Sequence, residues 1–459
     1  MSFYRTGSHN KQKSESKLSR RRKPKLPNYP VRAEIESLSH EGRGVAHIEG
    51  KTVFVHGALS GEEVSFFYIA KSRKHDEGKI CEIFRASEYR VEPLCQHANL
   101  CGGCSLQHLS AEQQIISKQQ LLMDSLQRIG KVEPESVLAP LTGPHWGYRH
   151  KARLGVKDVR KKGRVLVGFR EKQSRYLADI RQCEVLHPSV GKRIEALGDL
   201  IKQMQASDRI AQIEVAVGDN ATVLIFRNLD PLSGSDTELL IQYAKDTGLH
   251  IHLQPGGPDS CYPLYPESSD LSYQLPAYDL TLGFLPTDFT QVNPQINQKM
   301  IDQALSLLEL KKTDIVLDLF CGLGNFTLPI ATRVKQAHGV EGSEALVERA
   351  RENATRNTIE NAEFTAADLT QDISQQTWMQ NSYDKILIDP PRSGAAEMMP
   401  HIGKLAPERI LYVSCHPGTL ARDAGLLVHD YGYKLVSAGV MDMFPHTAHV
   451  ESMALFVRK

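Results

Sequence analysis

The sequence predicts an α/β protein. Its C-terminal part, residues 281–459, is a doubly wound and mostly parallel sheet, preceded by a small β-barrel at 28–86 and a strand-rich central domain at 87–280. Three observations predict this. From Pro294 onward, buried-type strands such as Asp314-Ile-Val-Leu-Asp-Leu-Phe and Tyr383-Asp-Lys-Ile-Leu-Ile-Asp alternate with helical patterns such as Ser343 to Asn357, the order that a parallel sheet with helical crossovers requires. Between Val31 and Arg85, four or five short strands are punctuated by Gly50, Gly57, Gly61 and Gly78, a pattern that closes into a small barrel. The glycine turn Cys321-Gly-Leu-Gly follows the first strand of the C-terminal part and precedes a helix.

Charge is segregated although the net charge is only +1. Residues 1–27 carry nine Lys/Arg against Glu15 and are poor in large apolar side chains, which predicts a disordered basic tail. Arg149 to Arg175 carries eleven Lys/Arg against Asp158 and Glu171, around the hairpin signal Lys161-Lys162-Gly163. Either block alone reads as a solvated surface; the two together point to nucleic acid as partner. Small barrels of the oligonucleotide-binding type suit the same partner. No apolar run is long enough to span a bilayer, and the N-terminus lacks a signal-peptide core, so the expectation is a cytoplasmic protein with no membrane association. The eight cysteines are then expected to stay reduced. Nothing in the sequence calls for a protein partner, and a monomer is expected.

Ser110 and Gln113 resemble a capping box opening an amphipathic helix from Ala111 to Ile129. Just before it stand Cys95, Cys101 and Cys104, with Cys183 far downstream. Four thiolates suit zinc or an iron–sulfur cluster equally.

In Asp318-Leu-Phe-Cys-Gly-Leu-Gly-Asn-Phe-Thr the third glycine of a dinucleotide fingerprint is missing, so a diphosphate is not demanded. Glu341 ends the next strand, where a carboxylate can take both ribose hydroxyls, and Asp368 ends a third. The set resembles a class I S-adenosylmethionine site. Asp389-Pro390-Pro391-Arg392 closes a fourth strand; an aromatic residue after the prolines would suit methylation of an exocyclic amine, and Arg392 counts against it. Ser414-Cys415-His416-Pro417 ends the next strand, at the same predicted edge. A thiolate there has a specific use: carbon 5 of uracil becomes nucleophilic once sulfur adds to carbon 6. A base must then remove the carbon-5 proton, and Glu451 lies where a late strand would return to this edge.

On these residues the chain resembles the RNA (uracil-5-)-methyltransferase family, most closely its 23S rRNA branch acting on uracil 1939. The resemblance spans nearly everything beyond the tail. It implies a class I methyltransferase sheet and a TRAM-type RNA-binding barrel. It implies that Cys95, Cys101, Cys104 and Cys183 hold a [4Fe-4S] cluster in an iron–sulfur domain. It also implies S-adenosylmethionine or target contacts at Gln291, Phe320, Asn325, Glu341, Asp368 and Asp389, with Cys415 as nucleophile and Glu451 as base. Related tRNA enzymes generally lack the barrel and the cysteines, so 23S rRNA is the expected partner, with another 23S site or tRNA as alternatives. A cytosine-5 enzyme would place a second cysteine in the loop that here reads Asp-Pro-Pro-Arg, and a non-catalytic RNA-binding protein would not need both Cys415 and Glu451.

Overall fold

The computed structural model describes residues 26–459. The basic tail expected at 1–27 lies, but for its last two residues, outside them. The chain divides into two compact units: the described part of Met1–Ser37 with Gly44–Ala86, and Leu38–Arg43 with Ser87–Lys459.

The first unit is built on β1 (Val31–Glu34), β2 (Ser37–Leu38), β3 (Gly44–Ile48), β4 (Lys51–His56), β5 (Glu63–Lys71) and β6 (Asp76–Arg85), in the order β1-β5-β6-β4-β3-β2. β1 pairs with β5 and β2, one bend later, lies against β3, so the sheet curls on itself as the sequence predicts. Inward-facing Ile35, Val53, Val55, Val64 and Phe66 fill it. Gly78 is required there, because a Cβ would stand 2.3 Å from the Phe66 ring.

The second unit opens with the cysteine segment and α1 (Ala111–Ser125), whose N-cap Ser110 accepts from the Gln113 amide at 3.3 Å. Such a cap is worth about 1 kcal/mol. The predicted helix continues to Gly130, but its last turn, Leu126–Gly130, is a π-helix. After β7 (Ser136–Val137) come β8 (Lys151–Val159) and β9 (Arg164–Gly168), the predicted basic hairpin, turning through Gly163 at φ 66°. They join β10 (Ile210–Val217), β11 (Thr222–Asn228), β12 (His250–Leu253) and β13 (Tyr262–Tyr265) in the order β13-β12-β11-β10-β8-β9. Three helices accompany this sheet: α2 (Pro188–Gly191), α3 (Ile194–Gln203) and α4 (Gly234–Thr247). Leu197, Ile201, Leu240 and Ala244, from α3 and α4, pack in its core. β14 (Leu271–Leu275) and β15 (Leu280–Phe284) form a separate hairpin.

The C-terminal layer runs α5 (Pro294–Leu308), β16 (Ile315–Leu319), α6 (Thr327–Ala331), β17 (Gln336–Glu341), α7 (Glu344–Arg356), β18 (Ala362–Ala366), β19 (Lys385–Ile388), α8 (Met399–Leu405), β20 (Arg409–Ser414), α9 (Pro417–His429), β21 (Tyr433–Met441) and β22 (Glu451–Arg458). The sheet order is β18-β17-β16-β19-β20-β22-β21-β7, parallel from β18 to β20, with β22 antiparallel to β20 and β21. Strands buried on both faces read as continuous apolar runs. Val316 and Leu387 face α5, α6 and α7, whereas Leu317, Leu319, Ile386 and Ile388 face α1, α8 and α9. Each fully buried Leu or Ile contributes about 1.5–3 kcal/mol. The strand order reverses between β16 and β19, and ligands of open α/β sheets bind in the crevice at such a reversal. This is a class I methyltransferase fold. No helix among the described residues is long and apolar enough to cross a membrane.

Candidate active site

Three carboxylates meet at the sheet reversal. Asp318, on β16, is buried, and its Oδ2 accepts from Thr327 Oγ1 at 2.5 Å. Burial, with Asp389 and Glu341 nearby, pushes it up to about 8. Its Oδ1 is buried without a hydrogen-bond partner. Asp389, one residue beyond β19, is pushed up to about 7 by burial. Glu341 ends β17; its Oε2 accepts from the Gly322 amide at 3.1 Å and its Oε1 from the Ser343 amide at 3.2 Å. The turn between β16 and α6 takes positive φ at Phe320 (65°), Gly322 (55°) and Gly324 (93°). Buried carboxyls whose charged forms are disfavoured gain from a cation placed beside them, which favours ionisation.

Asn325, at the end of this turn, is fixed by three hydrogen bonds to two partners. It exchanges 2.9 Å hydrogen bonds with Asn297 of α5 in both directions, and its Oδ1 accepts from the Tyr273 hydroxyl at 2.9 Å. Asn297 and Tyr273 line one cavity with Gln291. Sequence reasoning missed Asn297, Tyr273 and Thr327, since the partners lie far along the chain or inside a helix. Asp368 stands apart: exposed two residues beyond β18, it accepts from Thr370 N at 3.0 Å and Thr370 Oγ1 at 2.7 Å, which hold it below its usual range.

Cys415 and Glu451 come together through the ladder. Ser414 pairs with Ser452 across β20 and β22, so the residues one step outward, Cys415 just past β20 and Glu451 at the start of β22, stand side by side at the sheet edge. Burial, then Glu451 and Asp389, push the Cys415 thiol up to about 11. Burial, with Asp389, pushes Glu451 up to about 8, against a lowering pull from Arg392 and Lys118. Cys415 opens into a cleft of about 730 Å³ lined also by Ile129, Arg392, His416, Thr447 and His449. Arg392 Nη2 and His449 Nδ1 lie 3.0 Å apart.

Cys95, Cys101, Cys104 and Cys183 line a single separate cavity with Phe169, Ile180 and Val185. Burial pushes Cys104 up to about 11 and Cys183 up to about 12, and raises Cys95 and Cys101. Neighbouring thiolates add to the rise at Cys101, Cys104 and Cys183, a double penalty that a bound cation would remove. The donor set fits a four-sulfur centre in kind. As placed, no group of three or more His, Cys, Asp or Glu side chains among the described residues is arranged to hold a metal ion.

Residues 222–459 match the family described as tRNA (Uracil-5-)-methyltransferase, and residues 29–65 match the TRAM domain. The chain is 53% identical over 440 residues to the 23S rRNA (uracil(1939)-C(5))-methyltransferase of Alkalilimnicola ehrlichii, covering 96% of this chain and 99% of that one. The chain belongs to the (uracil-5-)-methyltransferase family. Another family member, the 23S rRNA (uracil(1939)-C(5))-methyltransferase of Methylococcus capsulatus, is 52% identical over 439 residues, 95% of this chain and 99% of its own. The family fold is also that of the Pyrococcus abyssi tRNA (uracil-54, C5)-methyltransferase, solved in complex with S-adenosyl-L-homocysteine. That structure has a TM-score of 0.72 and 24% identity, and covers 93% of this chain and 100% of that one.

Proposed function

We propose that this methyltransferase transfers a methyl group from S-adenosylmethionine to carbon 5 of a uridine in 23S rRNA, the one at position 1939. The observation that carries the proposal is the pairing of Ser414 with Ser452, which sets a thiol and a carboxylate side by side at the sheet edge that also gathers Asp318 and Asp389. The names of the relatives at 52–53% identity support the substrate, and the TRAM match supports RNA binding. A 23S rRNA substrate is met in the cytoplasm, and the protein is read as a monomer there.

Gln291, Phe320, Asn325, Glu341, Asp368 and Asp389 would hold the donor or target, with Glu341 on the ribose hydroxyls. The donor supplies a methyl group on a positively charged sulfur. Asp318 and Asp389, whose carboxyls burial pushes up, ionise more fully against that charge. The target base leaves its stack and enters the cleft at Cys415. The Cys415 thiol passes its proton to solvent as its sulfur bonds to carbon 6, and the electron pair displaced from the ring makes carbon 5 the nucleophile, to which the methyl group moves as the donor sulfur keeps the electron pair of the broken bond. Once carbon 5 carries the methyl group, Glu451 takes the carbon-5 proton. The ring double bond re-forms, the carbon–sulfur bond breaks, and Cys415 leaves as thiolate.

Cys95, Cys101, Cys104 and Cys183 are proposed to hold a [4Fe-4S] cluster that ties the segment before α1 to the central domain. Their convergence on one cavity supports four ligands, and the family resemblance supports iron and sulfide over zinc. The overall proposal is tested by incubating the protein with donor and a 23S rRNA fragment containing uridine 1939, then mapping the product. 5-Methyluridine at that position alone is expected; methylation of tRNA instead would refute the substrate.

A further inference from the structure

The connection between β21 and β22 runs from Asp442 to Val450. It is far longer than the two to five residues that usually join antiparallel neighbours. It leads directly into Glu451, the first residue of β22, which the ladder pairs with Met441, so the loop bears on the carboxylate from its N-terminal side. It is held by the segment after Cys104, by α1 and by the stretch before β8. Lys118 Nζ donates to Asp442 Oδ1 at 2.7 Å and to Phe444 O at 3.0 Å. Tyr148 Oη donates to Pro445 O at 3.0 Å. The His446 amide donates to Gln114 Oε1 at 2.8 Å, and the Ser105 and Leu106 amides both donate to His446 O at 2.9 Å. Ala448 N donates to Ser105 Oγ at 3.0 Å.

Two features make this more than incidental packing. Lys118 and Asp442 are 3% and 1% exposed. A buried ion pair adds little stability over an apolar pair of the same size, whereas losing one partner strands a charge, so such pairs serve to fix one arrangement. At the middle of the loop, His446 takes a left-handed φ of 64°, with its ring stacked on Trp146 at 4.0 Å. An unfavourable backbone conformation persists only where the surroundings over-determine it.

We infer that Lys118, Gln114, Tyr148 and Ser105 form a clamp of positioning residues that sets Glu451 against Cys415, and that the clamp's work falls on proton removal from carbon 5. This rests on the reading of Glu451 as the base. The clamp is continuous with the cysteine centre, because Ser105 follows Cys104 and Tyr148 packs on Cys104 in one small core.

The test uses the full chain carrying Tyr148→Phe, Gln114→Met or Lys118→Met, with donor and a 23S rRNA fragment whose uridine 1939 is either ordinary or 5-fluorinated. Fluorine at carbon 5 cannot leave as a proton does, so that substrate stops at the methylated adduct on Cys415 and reports only addition and methyl transfer. Adduct formation on the fluorinated RNA is expected to stay within about threefold of the parent. Turnover on ordinary RNA is expected to fall roughly 10- to 100-fold in kcat with KM little changed, as for a catalytic group displaced by about 1 Å. Tyr148→Phe keeps the shape of the side chain and preserves the test if the Lys118 variant does not fold. Equal losses on both substrates, or no loss on ordinary RNA, would overturn the inference. Glu451→Gln runs alongside as control. If it accumulates adduct on ordinary RNA while the clamp variants turn over normally, the clamp alone is refuted; if it accumulates none, the base assignment falls and the inference with it.

Discussion

Ser414 and Ser452 face each other across β20 and β22, and Ser452 Oγ donates to the Ser414 carbonyl at 3.3 Å. That cross-strand pair fixes the separation of the next residues out, Cys415 and Glu451. A thiol and a carboxylate that arise 36 positions apart in sequence thereby become neighbours at one sheet edge.

Replacing Cys415 removes the group proposed to activate the base but nothing assigned to the donor. Cys415→Ala is expected to lower methyl transfer by roughly 10³-fold or more. Calorimetric affinity for S-adenosylmethionine should change less than about twofold. Turnover near the parent rate would remove Cys415 from the mechanism.

Glu451 accepts a proton only when ionised, and burial holds it at about 8. A raised carboxylate pKa means that the protonated form dominates below that value. At saturating donor and RNA, kcat should therefore rise about tenfold per pH unit from pH 6 to 7.5 and level off above 8. A flat profile, or a fall with rising pH, would contradict the assignment. Donor affinity should rise over the same range, because Asp318 and Asp389 must also lose protons to meet a cation; titration at pH 6 and pH 8 measures this separately.

Asn297 holds Asn325 by two hydrogen bonds and lines the cavity that Gln291 also lines. Asn297→Leu removes two reciprocal hydrogen bonds, each worth about 0.5–1.5 kcal/mol. The expected result is a donor Kd weakened about 3- to 30-fold with the rate at saturating donor largely kept, read by calorimetry and initial rates. An unchanged Kd would mean that Tyr273 alone suffices to hold Asn325.

Purified without oxygen, the protein should be brown, with about four irons per chain. Cys104→Ser should lose both colour and iron. A colourless protein carrying one zinc would refute the cluster while keeping the four-ligand set.

Local signals carried most of the reading. The glycines at 322 and 324 announced the turn because their positive φ values favour that residue. The apolar runs at 315–317 and 386–388 announced parallel strands because both faces are buried. What was not legible depends on contacts across the fold. Lys118 meets Asp442 across 324 positions, and Tyr273 meets Asn325 across 52. The π-turn ending α1 has a similar origin: Gly130 packs so closely on α9 that a Cβ would stand 2.3 Å from Ala421 O, and periodicity alone reads that stretch as plain helix. Asp368, expected at a strand end, lies two residues beyond β18, where its exposure and its bonds to Thr370 are set by the loop.

The most direct test of the mechanism separates its two halves with Glu451→Gln. Addition by Cys415 and methyl transfer do not need the carboxylate; release does. Incubated with S-adenosylmethionine and ordinary 23S rRNA fragment, then run on a denaturing gel, the variant is predicted to show a protein–RNA band that requires the donor and holds the methyl group, with the link mapped to Cys415. Normal turnover with no band, or loss of activity with no band, would contradict the pairing of Cys415 as nucleophile with Glu451 as base.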